Sequence, residues 1–430
     1  MSAAISITIV LISFTSLGIP ELFGAVLISL VSTLLAIPPV RRIALHYRWV
    51  DCPDGKRKLH RGAIVCVGGI AILVGAATGL IYLTSIANVV RLQLEMKTLA
   101  VIAGALAMFV MGLADDVRGL GFKSKLIIQT VTAVLLTFAG FRLDIAGVLY
   151  PDPGGAAEIL NIPATVLWIV GIVNAMNFID GLDGLAAGLS LISLVSLAIV
   201  FGLGGEPGLI MFVLPVVGAA GGFLIPNFNP ATLFMGNSGS YLLGFVLASY
   251  SIHAPAHANP LISLVIVVVI LGVPIVDTAL AILRRCSNGT SPFHPDRGHI
   301  HHQLVKLFSH RKAVIILYLD AVSLGLMGIA MAESHTPTTA LYTTCAAAAM
   351  LVPLVLVGRD RSGRRESSRP RAAKAPTSKQ YRPVSVVIEE EPVFEGVREG
   401  SAEATPRRLI SLSRDDGRAH ARQPALAERD

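Results

Sequence analysis

Residues 161–203 read NIPATVLWIVGIVNAMNFIDGLDGLAAGLSLISLVSLAIVFGL, two apolar runs joined by a short polar turn. In that length only Asp180 and Asp183 carry charge. The runs 161–177 and 184–203 each approach the roughly 20 residues that a helix needs to cross the hydrocarbon of a bilayer. Charges inside hydrocarbon are costly, so two acids between two such runs put the turn at a membrane surface. The stretch reads as a membrane-spanning helical hairpin with its polar tip at one face.

The same pattern extends outward. Apolar runs at 22–40, 64–84, 98–113, 124–140, 208–225, 239–254, 260–282, 313–332 and 339–357 bring the predicted spans to eleven. The chain is 53% hydrophobic and 15% charged, with a mean hydropathy of +0.68. Soluble domains carry roughly 25% charged residues. The fold class expected is an all-α integral membrane protein. Met1 to Ile19 lacks a basic start and a clear small-residue cleavage site, so it is not read as a removed signal peptide.

Loops on one side of these spans carry 15 Lys and Arg, and loops on the other side carry 3. The positive-inside rule puts the first set in the cytosol, and the location expected is the inner (plasma) membrane. After residue 357 the composition changes. Arg359, Arg361, Arg364, Arg365, Arg369 and Arg371 lie among Ser, Pro and Ala, and Glu389, Glu390 and Glu391 follow. Residues 1–357 are expected to form the membrane domain and 358–430 a disordered cytosolic tail. The net charge of +7 is divided between loops and tail, with no stripe for nucleic acid. Cys52, Cys66, Cys286 and Cys345 suggest no disulfide framework.

Five polar clusters fall on the predicted cytosolic face. Asp115 and Asp116 close the third span; a pair of adjacent acids is either solvated helix-end charge or a metal or acid–base site. Asn174, Asn177, Asp180 and Asp183 recur every three residues, a spacing that drifts around a helix, so Gly181 and Gly184 are expected to break it and gather the groups. In the segment FMGNSGS, Gly236 and Gly239 permit close backbone approach, and the helix start beyond them should favour an anion. The segment SPFHPDRGHIHHQL crowds His299, His301 and His302 within four residues. That crowding and the lack of a nearby thiolate speak against zinc, whereas imidazoles beside Arg297 suit phosphate oxygens. Lys56, Arg57, Lys58, His60 and Arg61 form either ordinary positive-inside sequence or an anion-binding arm. Acids and bases on one face suggest phosphorylated ligands bridged by a divalent cation.

In this order and spacing GLADDVRGL, NAMNFIDGLDGLAAG, FMGNSGS and SPFHPDRGHIHHQL resemble the polyprenyl-phosphate N-acetylhexosamine-1-phosphate transferases (glycosyltransferase family 4). The PDRGHIHHQL segment is similar to the branch that uses UDP-GlcNAc and starts O-antigen, common-antigen or teichoic-acid linkage units. The resemblance covers about residues 50–310. It implies a reaction in which a polyprenyl phosphate attacks the β-phosphorus of a UDP-N-acetylhexosamine and releases UMP, with Mg2+, or Mn2+ in its place, as cofactor. By resemblance Asp115, Asp116, Asp180 and Asp183 are catalytic, and Asp116, Asp180 and Asn237 hold the metal. Asn177, Arg297, His299, His301, His302, Lys58 and His60 bind substrate. The partners implied are the sugar nucleotide, the lipid phosphate and the membrane, with a homodimer as a further expectation and no nucleic acid.

Two positions depart from the family pattern. Its third motif reads Met-Gly-Asp, and here the aspartate is Asn237, an oxygen donor without charge. The prolines and arginine expected before Gly68 and Gly69 are replaced by Ala63-Ile64-Val65-Cys66-Val67. The alternative reading is a catalytically impaired homologue with a binding or regulatory role. An ion-coupled transporter fits less well, because transporter acids lie near the midplane. Asp277, inside the ninth span, is either functional or a buried structural acid.

Overall fold

The computed structural model describes residues 18–51, 64–85, 96–150, 155, 157–253, 260–290, 298–334 and 337–359. The predicted tail beyond Arg359 lies outside them. The described chain is helical apart from one two-residue hairpin. In order it comprises α1 (Ile19–His46), β1 (Val50–Asp51), β2 (Ile64–Val65), α2 (Gly69–Ser85), α3 (Met96–Arg118), α4 (Phe122–Phe138) and α5 (Ile145–Leu149). Then follow α6 (Asn161–Ile179), α7 (Leu185–Leu203), α8 (Pro207–Asn227), α9 (Gly236–Ser251), α10 (Pro260–Ile270) and α11 (Gly272–Ser287). The last three are α12 (Ile300–Leu307), α13 (His310–Glu333) and α14 (Pro337–Arg359).

Each predicted span falls on helix. By length and apolarity, six of the described helices can cross a bilayer, or seven with α10 and α11 taken as one bent span. That is fewer than the eleven expected. The helices α2 and α9 are short, at 17 and 16 residues. Large apolar side chains such as Leu35, Leu167 and Phe138 face outward, as a lipid solvent allows.

The ninth span is not one helix. The α10 and α11 axes meet at 82° around Leu271. In a continuous helix Pro274 would lack the N–H owed to the Ile270 carbonyl, and its ring would clash there. The break gives Asp277 a helix of its own, α11, and a direction set separately from α10.

Packing relies on close backbone approach, since lipid offers helices no hydrophobic drive to associate. Gly75 and Gly79 on α2 lie against Thr33 and Ser29 of α1: an added Cβ would stand 1.8 Å from a hydroxyl oxygen at each. Gly218 and Gly222 on α8 do the same against the Val26 and Leu30 carbonyls. The most enclosed helix is α9, buried from Ser238 to Ser251. Gly104 of α3 accommodates Phe245, and Gly244 rests on Val173 and Met176 of α6. The start of α9 is thereby fixed against α3 and α6, where the polar clusters lie.

Replacing Gly75 by Leu should cost about 1–3 kcal/mol through overpacking. The expected readout is a lower thermal transition in detergent; an unchanged transition would show that the α1–α2 contact is slack.

Candidate active site

Asp115 and Asp116 are neighbours that turn apart, because consecutive helical residues point about 100° from each other. Asp115 is buried and accepts from the Leu120 N–H at 2.7 Å and the Lys125 ammonium at 2.9 Å. Asp116 accepts from the Asn237 N–H at 2.7 Å and the Ser238 N–H at 3.0 Å. The anion expected at the start of α9 is thus the protein's own carboxylate, drawn to unpaired N–H groups at the positive end of a helix. Gly236 makes this junction feasible. Its φ is +72°, and a Cβ would stand 1.9 Å from the Cys66 carbonyl oxygen and 2.6 Å from Asp116 Oδ2.

The three-residue repeat divides between partners. Asn174 donates to Gln129 Oε1 at 2.7 Å and so faces α4. Asn177 faces α9, donating to Asn237 Oδ1 at 2.7 Å and to the Ser240 hydroxyl at 3.0 Å. Asp180 ends α6. Asp183 accepts from the Asn229 amide at 2.8 Å and the Ala231 N–H at 3.1 Å. The two glycines expected to break the helix have different tasks. Gly184 takes the left-handed backbone, φ +80°, donates its N–H to Asn227, and accepts from the Tyr318 hydroxyl of α13. Gly181 instead leaves room: a Cβ there would stand 2.7 Å from His301 Nε2.

The histidine segment is organised by Asp277. Its Oδ2 lies 3.0 Å from His299 Nδ1 and 3.2 Å from His301 Nδ1, and its Oδ1 accepts the Ile300 N–H. His299, His301 and Asp277 could supply three metal ligand atoms within 4.8 Å of one another. Both imidazoles meet one carboxylate oxygen at hydrogen-bond distance, so the protein satisfies this group by itself. Arg285 is buried between His299 and the Phe178 ring, 3.3 Å from the first at Nε2 and 5.7 Å from the second. Burial, then the neighbouring His301 and His299, push His302 down to about 4. Near neutral pH that ring is uncharged.

The described residues that flank the first basic segment lie beside the start of α9. Val50 pairs with Val65, and Val65 bridges to Leu233. Gly68 and Gly69 donate to the Phe234 and Met235 carbonyls, both at 3.0 Å. Lys58, His60 and Arg297 lie outside the described residues. Among those described, Asp116, Asn177, Asp180 and Asn237 gather around the α6 end and the α9 start, with Asp183 and His301 at the adjoining turn.

Sequence reasoning missed Lys125, Arg285, Asn229 and Tyr318. A lysine just inside an apolar run was the one signal for Lys125. The other three become meaningful only through contacts made in the fold.

Burial first, then the charges of Asp116 and Asp183, push the Asp180 carboxyl up to about 7. Among the described residues it has no hydrogen-bond partner. An acid confined among like charges favours either a proton or a cation. Asp116, whose charge acts on Asp180, is a hard oxygen donor, and the nearby Asn237 amide oxygen, held by Asn177 at 2.7 Å, keeps a lone pair beyond the one that bond uses. This donor set fits Mg2+.

A sequence model described as glycosyl transferase family 4 matches residues 98–254. A probable undecaprenyl-phosphate N-acetylglucosaminyl 1-phosphate transferase from Bacillus subtilis is 37% identical over 69% of this chain and 80% of its own length. A decaprenyl-phosphate N-acetylglucosaminephosphotransferase from Mycolicibacterium smegmatis is 34% identical over 72% and 82%. An undecaprenyl-phosphate alpha-N-acetylglucosaminyl 1-phosphate transferase from Salmonella typhi is 28% identical over 74% and 85%.

The raised Asp180 carboxyl has a sign that can be tested. The folded protein holds this proton more tightly than the unfolded chain, so the stabilising contribution is full below about pH 4 and is lost as pH rises through about 7. With a chelator present, Asp180→Asn should melt above the parent at pH 8, by about 1–4 kcal/mol, with the gap narrowing toward pH 5. A gap independent of pH would show that the carboxyl is not held up.

Proposed function

This chain belongs to glycosyl transferase family 4, among the polyprenyl-phosphate N-acetylglucosamine-1-phosphate transferases, and on that premise we propose that it moves GlcNAc-1-phosphate from UDP-GlcNAc to a polyprenyl phosphate. An oxygen of the lipid phosphate bonds to the β-phosphorus, the bond from that phosphorus to the bridging oxygen breaks, and UMP leaves. The product is a lipid diphosphate sugar that begins a cell-envelope polysaccharide. The observation that carries this reading is the cluster of Asp116, Asn177 and Asn237 beside Asp180, a half-buried acid with no hydrogen-bond partner among the described residues.

Both substrates are anions, so the barrier is largely electrostatic. Mg2+, or Mn2+ in its place, would be held by Asp180, Asp116 and the Asn237 oxygen, and when bound supplies the positive charge that lets two phosphates approach. Asp115 acts through Lys125, whose ammonium it holds at the surface to orient the lipid phosphate. Asp183 fixes the turn through Asn229 and Ala231. His299, His301, His302 and Arg297 serve the sugar-nucleotide diphosphate, and Lys58 and His60 bind anions at the rim. The excess of 15 over 3 basic loop residues supports an inner-membrane protein with this site facing the cytosol.

Asn237 favours a second reading, an impaired homologue that binds without turnover. Its Oδ1 already accepts from Asn177, as a carboxylate there could also do, so the substitution removes charge and leaves the contact intact. Losing a charge from such a site weakens cation binding by about 1–3 kcal/mol.

Membranes supplied with UDP-GlcNAc, polyprenyl phosphate and Mg2+ should release UMP. Absence of release from well-folded protein would overturn the transferase reading. Asn237→Asp should lower the Mg2+ concentration for half-maximal rate about tenfold, the equivalent of about 1.4 kcal/mol. A rise in turnover from nothing would instead support the impaired homologue.

A further inference from the structure

Asp277 is 1% exposed and lies well before the histidine segment in sequence. Burying a carboxylate is costly unless donors satisfy it, and here three do: two imidazoles and the Ile300 N–H that opens α12. An ionised carboxylate only accepts, so both Nδ1 atoms present their hydrogens to it.

The two rings then differ. The Arg285 guanidinium only donates, so His299 Nε2 accepts from it and both nitrogens of His299 are engaged within the protein. His301 also spends Nδ1 on Asp277, but its Nε2 is buried and has no partner among the described residues. That nitrogen lies against Gly181, next to Asp180, only 2.7 Å from where a Cβ at 181 would stand, so a side chain there would press on it.

We propose that Asp277 is a positioning residue for the transfer, fixing His301 so that its Nε2 meets the diphosphate of the sugar nucleotide beside the Asp180–Gly181 turn, while His299 holds Arg285. A carboxylate behind Nδ1 sets the tautomer and ring orientation of a working histidine. The three histidines crowded in sequence are thus unequal: His301 touches substrate and His299 belongs to its support. This assignment rests on the transferase reading above.

The test is a double-mutant cycle on the full chain in nanodiscs, read by UMP release. Asp277→Asn should lower kcat/KM for UDP-GlcNAc about 10- to 100-fold, leaving the KM for polyprenyl phosphate within about twofold. In a His301→Ala background the same change should cost less than about threefold, because its target is gone. In a His299→Ala background it should keep most of its effect. Losses that multiply fully between positions 277 and 301, or a parallel rise in both KM values, would overturn the proposal and leave Asp277 a purely structural acid. If D277N does not fold, as judged by its thermal transition, Asp277→Glu takes its place in the cycle, and the same non-additivity is expected. An inactive parent protein would overturn the transferase reading itself, whereas an active parent with additive variants would overturn only the role of Asp277.

Discussion

Five carboxylates lie at or near one end of apolar helices, and keeping them there is the constraint to which the rest of the structure answers. Water and a cation at each would be one solution. The protein uses a different partner for each of four: Lys125 and a backbone N–H for Asp115, the first N–H groups of α9 for Asp116, Asn229 and Ala231 for Asp183, and two imidazoles for Asp277. Asp180 has no such partner among the described residues, and burial followed by the charges of Asp116 and Asp183 raises its carboxyl.

The helix packing serves this arrangement. Because α9 is enclosed along its length, its first turn can be held to within hydrogen-bond tolerance of α3 and α6. Glycine at 112 lets α3 come within 2.5 Å of the Asn237 carbonyl as measured from an added Cβ, and glycine at 236 gives the backbone its left-handed entry. A looser bundle would leave Asn177 and Asn237 unable to share their amide bond.

Much of this was legible in the sequence. Apolar runs located every described long helix, and the polar segments that come together are those singled out from residues alone. Periodicity could not say which way each group faces. Asp115 and Asp116 read as a pair, yet they have unrelated partners, because adjacency in a helix separates side chains. Gly181 and Gly184 read as equivalent breakers, yet only Gly184 needs its backbone freedom. The start of α9 read as an anion site, correctly in kind, but the anion comes from α3, 121 residues away. The bend at Leu271 had a signal in Pro274 that the unbroken hydropathy of the run concealed. The link from Asp277 to the histidines had none, since it exists only after the bend has aimed α11 toward α12.

The Asp116 bond to α9 also bears on how the protein is made. During synthesis the acid leaves the ribosome more than a hundred residues ahead of the N–H groups that will receive it, and the histidine segment emerges later still. A chain halted before α9 already holds the partners of Asp115 and Asp183, but it carries Asp116 and Asn177 without the groups at 237 and 238 that receive them.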